Sequence, residues 1–372
     1  MRVTYIGSYE AEYPRNLILI RGLRLNGVEV KELHIDIWRN RPHKYRMGPL
    51  QCVLLGGKLA AGYASVFFRG LFGSTDCLIV GYPGHFDVFF IKLLAILKRK
   101  PLFFDVFLSI YDTLVTDRGT ISTQTSAARF LYWIDRTSCK LADHILLDTH
   151  EHIDYFVETF GIPRRKFSRI LVGCNTNTYR ERPEISKRKN FTVAFHGKCI
   201  PLQGVEVIVQ AAGLLMKNGV NFVLVVEGQL AKAAKAEAQC AGITNIEWHG
   251  FTAPEHLARL ELSCHIGLGI FGTTEKAQRV IPNKVFETVC MGLPLITGDS
   301  KAIRSIFTPE RDCLMVPMGD ASALAGAILR LRDDPELGVR LAGAACELYR
   351  THWTVEALGQ QIKSICEKNV GR

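Results

Sequence analysis

Apolar runs recur along the chain at intervals that leave room for a helix between them. Val3–Gly7, Val28–His34, Cys77–Gly81, Leu102–Phe107 and His144–Asp148 read as strands in the first half. Pro14–Gly27 repeats Leu17, Ile20, Leu23 and Leu25 at helical spacing, and helices are also expected over 87–98 and 127–142. A charged stretch, Tyr179–Asn190, breaks this pattern and reads as a linker. The alternation then restarts. Strands are expected at Phe191–His196, Asn221–Glu227, Ile243–Trp248, His265–Gly269 and Leu295–Thr297. Helices are expected at Gly204–Lys217, Pro254–Leu262, Asp320–Leu331, Glu336–Tyr349 and Thr354–Lys368. Strand–helix alternation of this kind builds parallel sheets covered on both faces. The expected fold is α/β, with two doubly wound domains facing a cleft. The expected boundaries are 1–180, 181–353 and a closing helix, 354–372, that packs back on the first domain. Leu50–Phe68, the longest apolar stretch, is interrupted by Lys58 and glycines and reads as a core helix.

Composition narrows the class. At 372 residues, 48% hydrophobic and 22% charged, the chain can fill two cores. Met1–Gly7 reads directly as a strand and its turn, not as a signal peptide, so the cytoplasm is the expected compartment. The 11 cysteines, among them Cys52, Cys139, Cys240 and Cys346, form no CxxC pair and read as buried, reduced thiols. Cys139 with His144, and His249 with His256, lack a third ligand at zinc spacing. The net charge of +10 is uneven, since residues 1–180 hold 24 Lys and Arg against 16 Asp and Glu. Arg39, Arg41, Lys44 and Arg46 form one basic run, and Lys98–Lys100 and Arg164–Lys166 form two more. This excess is either a solvated face or a surface for anionic lipid headgroups or a polyanionic acceptor. No helix-turn-helix, zinc-finger or RNA-binding pattern accompanies it, so nucleic acid is not an expected partner.

The densest chemistry lies in Arg279–Gly298. Pro282-Asn283-Lys284 opens a short helix, with the proline expected at its first position. Free N–H groups and the helix dipole make that end an anion site. Lys284 adds a cation, and Glu287 adds an acceptor pair suited to a vicinal diol. A phosphate contact beside a ribose contact suggests a nucleoside diphosphate. Earlier, Phe195-His196-Gly197-Lys198 ends a strand and Gln203-Gly204 leads into a helix, so backbone at Gly197 could approach a phosphate beside Lys198.

In this order, Gly197-Lys198, Gln203-Gly204-Val205, Glu227-Gly228-Gln229, Trp248-His249-Gly250-Phe251 and Pro282-Asn283-Lys284-Val285-Phe286-Glu287 resemble glycosyltransferase family 4. The resemblance implies a GT-B fold and a retaining enzyme that uses a sugar nucleotide. It implies that Lys198 binds the diphosphate, that Glu287 holds the ribose, and that backbone near Phe251 and Thr252 meets the base. The family's second basic residue falls on Gln203, with Lys284 as the compensating charge, and its earlier glutamate falls on Arg279; Glu275 is out of register. Gly7-Ser8-Tyr9 matches the family's glycine turn toward the donor phosphate. The donor set is thus Gly7, Gly197, Lys198, Phe251, Arg279, Pro282, Asn283, Lys284 and Glu287.

The acceptor region of such enzymes lies at the ends of the middle strands of the first domain. Asp105, His85 and Asn16 are its candidates here, with Asp105 as a proton acceptor. Each has a plainer alternative: a turn or cap aspartate, a structural loop histidine, a helix start. Asp112 and Asp117 are lesser candidates. With Lys198 and Lys284, Asp105 and His85 make the expected catalytic set. Lysines and helix amides would stabilise the departing diphosphate. The chain has no DxD sequence, and no metal or other cofactor is expected beyond the donor itself. The reading is transfer of a sugar to a lipid-linked or glycan acceptor, as in cell-surface polysaccharide or glycolipid synthesis, at the inner face of the membrane. A GT-B sugar-nucleotide 2-epimerase and a non-catalytic nucleotide-binding subunit are the alternatives.

Overall fold

In a computed structural model, residues 1–37 and 49–370 are described, with side chains of the second stretch from residue 56 onward. The basic run Arg39–Arg46 and the Cys52 side chain lie outside the described residues. The chain divides into two compact units, 1–171 with 355–372, and 172–354.

The first unit runs β1 (Arg2–Gly7), α1 (Pro14–Leu25), β2 (Glu29–His34), α2 (Pro49–Phe72), β3 (Cys77–Val80), α3 (Asp87–Lys98), β4 (Leu102–Asp105), α4 (Ser126–Leu141), β5 (His144–Leu147), α5 (His150–Phe160) and β6 (Phe167–Arg169). Its sheet is wholly parallel, in the order β2-β1-β3-β4-β5-β6. The central strands β3, β4 and β5 are buried at every position, as expected of strands covered on both faces. Leu78, Val80, Phe104 and Ile145 pack against Val88, Ile91 and Leu94 of α3 and against Phe156 and Phe160 of α5.

The second unit runs β7 (Phe191–Lys198), α6 (Val205–Leu214), β8 (Val220–Glu227), α7 (Ala231–Cys240), β9 (Ile246–His249), α8 (Pro254–Leu262), β10 (Ile266–Leu268), α9 (Asn283–Cys290), β11 (Leu295–Gly298), α10 (Lys301–Arg304), β12 (Leu314–Val316), α11 (Ala321–Asp333) and α12 (Pro335–Leu348). Its parallel sheet has the order β12-β11-β10-β7-β8-β9. The strand order reverses between β7 and β10, so the loops leaving those two strands diverge and leave a ligand crevice beyond their ends. The last helix, α13 (Val355–Val370), belongs to the first unit. It crosses α1, where Gly359 and Gly22 come into backbone contact.

One sequence expectation changes, and a second holds for one face of its helix. The charged stretch 179–190 is no linker; it lies within the second unit. Lys187 Nζ donates to the Leu262 and Cys264 carbonyls at the end of α8, and Arg188 pairs with Glu247 at 2.5 Å. Its charges serve docking, which hydrophobic periodicity does not register. The apolar stretch from Leu50 forms α2, and its inner side does meet the core: Val66 belongs to the core cluster, and Leu59, Tyr63, Phe67 and Leu71 pack against it. Its other face lies at the surface, with Phe68 and Phe72 exposed. No helix among the described residues is long and apolar enough to cross a membrane. Nine of the ten described cysteines are buried, and Cys240 is exposed.

Candidate functional site

The crevice end of the second unit gathers an ionic cluster from three elements. β7 ends on His196-Gly197-Lys198. His196 Nδ1 lies 2.5 Å from Glu261 Oε1, at the last turn of α8, and its Nε2 lies 2.9 Å from Glu287 Oε2 on α9. Both glutamates are almost fully buried. Burial alone would lower the imidazole's pKa, but Glu261 and then Glu287 outweigh it and raise it to about 9. His196 is therefore an imidazolium at neutral pH, holding two carboxylates.

Lys284 stands one turn before Glu287 on the same helix. Its Nζ hydrogen-bonds the Gln203 amide oxygen and sits 3.6 Å above the centre of the Phe195 ring. Burial lowers its pKa to about 7 against the pull of Glu261 and Glu287. Gln203 is thus in direct contact with Lys284, so the position that lacks a basic residue has one against its side chain. Gly197 makes this possible. Its φ is +149°, and a Cβ there would stand 2.8 Å from Lys284 Nζ.

The start of α9 differs in detail from expectation. Pro282 is the residue before the first turn, not in it, and the helix begins at Asn283. No side chain caps that turn. Its free amides are the outward donors that an anion requires. Lys198 is exposed at the end of β7, in register with Glu227 of β8. Glu227 Oε1 in turn accepts the Phe251 amide at 2.6 Å, leaving that ring 81% exposed. Arg279 lies in the loop before α9, 3.9 Å from Glu275. The unit therefore brings Gly197, Lys284, Glu287 and the Pro282–Asn283 turn to one place.

The first-unit candidates separate. Asp105 is fully buried, and both its oxygens accept from Arg15, at 2.9–3.1 Å. Arg15 also donates to the Ile170 and Leu171 carbonyls. Asp105 is therefore a core ion pair and not a base facing an acceptor. Asn16 is also fully buried and satisfied. Its Oδ1 accepts from Tyr5 Oη and the Tyr82 amide, and its Nδ2 donates to the Glu10 and Tyr82 carbonyls. It ties β1, α1 and the loop after β3 together and has no atom left for a ligand. Gly7 has φ +125°, but the place beside it is filled by the Asp87 carboxylate, which accepts the Ser8 amide at 2.6 Å. A carboxylate thus occupies the turn that was expected to approach a phosphate. Asp112 and Asp117 are buried, and Thr116 donates to Asp112.

His85 remains. It is 1% exposed and lines a pocket of about 270 Å³ with Tyr82, Pro83, Phe86, Leu108 and Ser109. Its Nε2 is 3.3 Å from Asp135 Oδ1. Asp135 is anchored by Ser109 Oγ at 2.6 Å and by the Tyr111 amide at 2.9 Å. Burial lowers the imidazole's pKa, with Asp135 opposing, which favours a neutral ring oriented by a carboxylate.

Sequence reasoning assigned no role to His196, Glu261 or Asp135. The available signal was polarity out of place: His196 follows four buried strand residues, and Glu261 sits among Leu257, Ala258 and Leu262 on the buried face of α8.

Residues 190–334 match the family model described as Glycosyl transferases group 1. The lipopolysaccharide core biosynthesis glycosyltransferase LpsD of Rhizobium meliloti (strain 1021) is 36% identical over 90 residues, 24% of this chain and 26% of that protein. The alpha-D-kanosaminyltransferase of Streptomyces kanamyceticus is 22% identical over 245 residues, 63% of this chain and 62% of that protein. The chain thus spans less than two thirds of either curated relative. Among solved structures, Anabaena Alr3699/HepE in complex with UDP and glucose is similar at TM-score 0.73 and 16% identity, over 99% of this chain and 100% of that one. Sucrose-phosphate synthase from Thermosynechococcus elongatus is similar at TM-score 0.72 and 14% identity, over 99% and 98%. The chain has the fold of these proteins, the two-domain α/β GT-B fold.

Proposed function

We propose that the protein is a retaining glycosyltransferase that moves a sugar from a nucleoside-diphosphate sugar to a lipid-linked or glycan acceptor. The observation that carries this reading is the His196–Glu261–Glu287–Lys284 cluster beside the uncapped start of α9, within the segment that matches the glycosyl transferases group 1 model. HepE binds UDP and UDP-glucose, so a UDP-sugar is the first donor to test.

In this reading, Glu287 accepts from the ribose hydroxyls and His196 holds its carboxylate in place. The free amides at Asn283 and Lys284, with Lys198 outside and Lys284 beneath Gly197, meet the diphosphate. As the bond from the anomeric carbon to the phosphate oxygen breaks, negative charge grows on the leaving phosphate. Fixed donors and cations stabilise that charge more than the ground state, which lowers the barrier. These groups supply the positive charge without a metal ion. In the first unit, the neutral His85, steadied by Asp135, receives a hydrogen bond from the acceptor hydroxyl in the Tyr82–Leu108 pocket. The enzyme works on the inner face of the cell membrane.

A thermal-shift panel of UDP-, GDP-, ADP- and dTDP-sugars tests the donor site. The wild type is expected to be stabilised by one of them, and Glu287→Ala and Lys284→Ala to lose most of that response. No response in the wild type, or equal responses in the variants, overturns the site. Incubation with donor alone separates transfer from epimerisation: nucleotide release should require an acceptor, and an epimerised sugar nucleotide would refute transfer. The product's anomeric configuration, read by NMR, tests retention.

A further inference from the structure

Helices α2, α3 and α4 of the first unit carry large apolar side chains on their outer faces. On α3 and the residue before it, Phe86, Phe90, Leu93 and Leu97 follow helical spacing and are each 50–56% exposed. On α2, Phe68 is 61% and Phe72 85% exposed; on α4, Phe130 and Trp133 are about half exposed. The three helices join into one surface. Tyr63 of α2 stacks on Phe90 at 4.4 Å, and Phe89 of α3 stacks on Trp133 at 5.6 Å, which in turn stacks on Phe130. Scattered exposed apolar residues need no explanation, but a continuous aromatic face does.

The charges on the same helices select its occupant. The only acidic residues of α3 and α4 are Asp87 and Asp135, both fully buried, and α2 has none. Every exposed charge on the three helices is basic: Lys58 and Arg69 on α2, and Arg129, Arg136 and Lys140 on α4. Arg99 extends the set just beyond α3, while Lys92 is paired with Asp143. A protein partner matched to this face would need a wholly acidic rim around an apolar centre. A bilayer with anionic headgroups offers both properties together: headgroups for the cations and an acyl boundary for Phe and Trp. Phe86 adds a further link. It is both the first residue of the α3 stripe and part of the His85 pocket, so the apolar face runs into that pocket.

We infer that the α2–α3–α4 face docks on an anionic lipid bilayer. It thereby presents the His85 pocket to an amphiphilic acceptor whose tail stays in the membrane. The second part rests on the proposed transfer; the docking does not.

The experiment is flotation with phosphatidylcholine vesicles, with and without about one third phosphatidylglycerol. The protein should float with the anionic vesicles and be released by high salt. Replacing Arg129, Arg136 and Lys140 together by glutamine should weaken binding about a hundredfold, at about fivefold per charge. Brominated acyl chains should quench tryptophan fluorescence in the wild type and much less in Trp133→Phe, a conservative change on an exposed site. Equal, weak binding to both vesicle types overturns the inference. So does binding that neither variant alters, or light scattering that shows a dimer without lipid which Phe90→Ser converts to monomer. The last result would mean that a second copy covers the face. Because flotation needs no nucleotide, a protein that floats but shows no thermal shift with any donor would refute the donor site and leave the docking face standing.

Discussion

Replacing His196 by glutamine should cost stability in a way that depends on pH with a definite sign. The imidazole's ordinary pKa is 6.5, and in the fold it is raised to about 9 because Glu261 and Glu287 flank it. A raised pKa means that the folded state holds the proton more tightly than the unfolded chain. The stabilisation is therefore complete below pH 6.5 and is lost as pH rises through 9. The gap of about 2.5 pH units, at about 1.4 kcal/mol each, corresponds to about 3.5 kcal/mol. Glutamine can donate to one carboxylate but carries no charge, so it should forfeit most of this. Urea unfolding of the wild type and His196→Gln, at pH 6 and at pH 9.5, measures the contribution of the cluster as a difference in which titrations remote from it cancel. The variant should be less stable by about 3 kcal/mol at pH 6, and by much less at pH 9.5. A deficit that is the same at both pH values would show that His196 acts by packing alone, and the charged cluster would be refuted.

Lys284→Met should show the opposite sign. The lysine's pKa is lowered from 10.5 to about 7, so wild-type stability relative to the variant should rise between pH 7 and pH 10.5, read by the same unfolding series. Asp105→Asn should destabilise the fold by about 3–5 kcal/mol in urea unfolding, because Arg15 is fully buried and would lose its charge partner. If the variant keeps wild-type stability and loses only transfer, Asp105 is catalytic after all. Gly197→Ala should cost about 1–3 kcal/mol through its backbone conformation and displace Lys284; nucleotide thermal shifts should fall with it. Full nucleotide binding in a stable Gly197→Ala would remove Lys284 from the site.

Which features were legible in the sequence follows from the range of the forces involved. β3, β4 and β5 are buried on both sheet faces, so burial writes apolar runs of three or four residues into them (CLIV, LFF and ILL), and those runs are readable. Helix α7 was not found by the same reading. Its AKAAKAEAQC buries only Ala234 and Ala238, so it owes its helix to alanine, lysine and glutamate propensity and not to an apolar stripe. β6 and β12 are three-residue edge strands, too short to show a period. Charges are harder still. Asp105 and Glu287 both look like polar residues at the margin of an apolar run, yet one is a core ion pair and the other joins the candidate site. What decides between them is a partner far away in sequence: Arg15 on α1 for Asp105, and His196 on β7 for Glu287. Neither pairing leaves a local spacing to read, because the sheet order alone brings the strands and helices together. The same reasoning explains Gly7 and Gly197. Both are glycines at the end of their unit's first strand with positive φ, and both admit a charged side chain at the turn. At Gly7 that side chain is the carboxylate of Asp87, and at Gly197 it is the ammonium of Lys284. An anionic diphosphate is repelled by the first and attracted by the second, so two turns that look equivalent in sequence differ in the sign of charge that the fold places beside them.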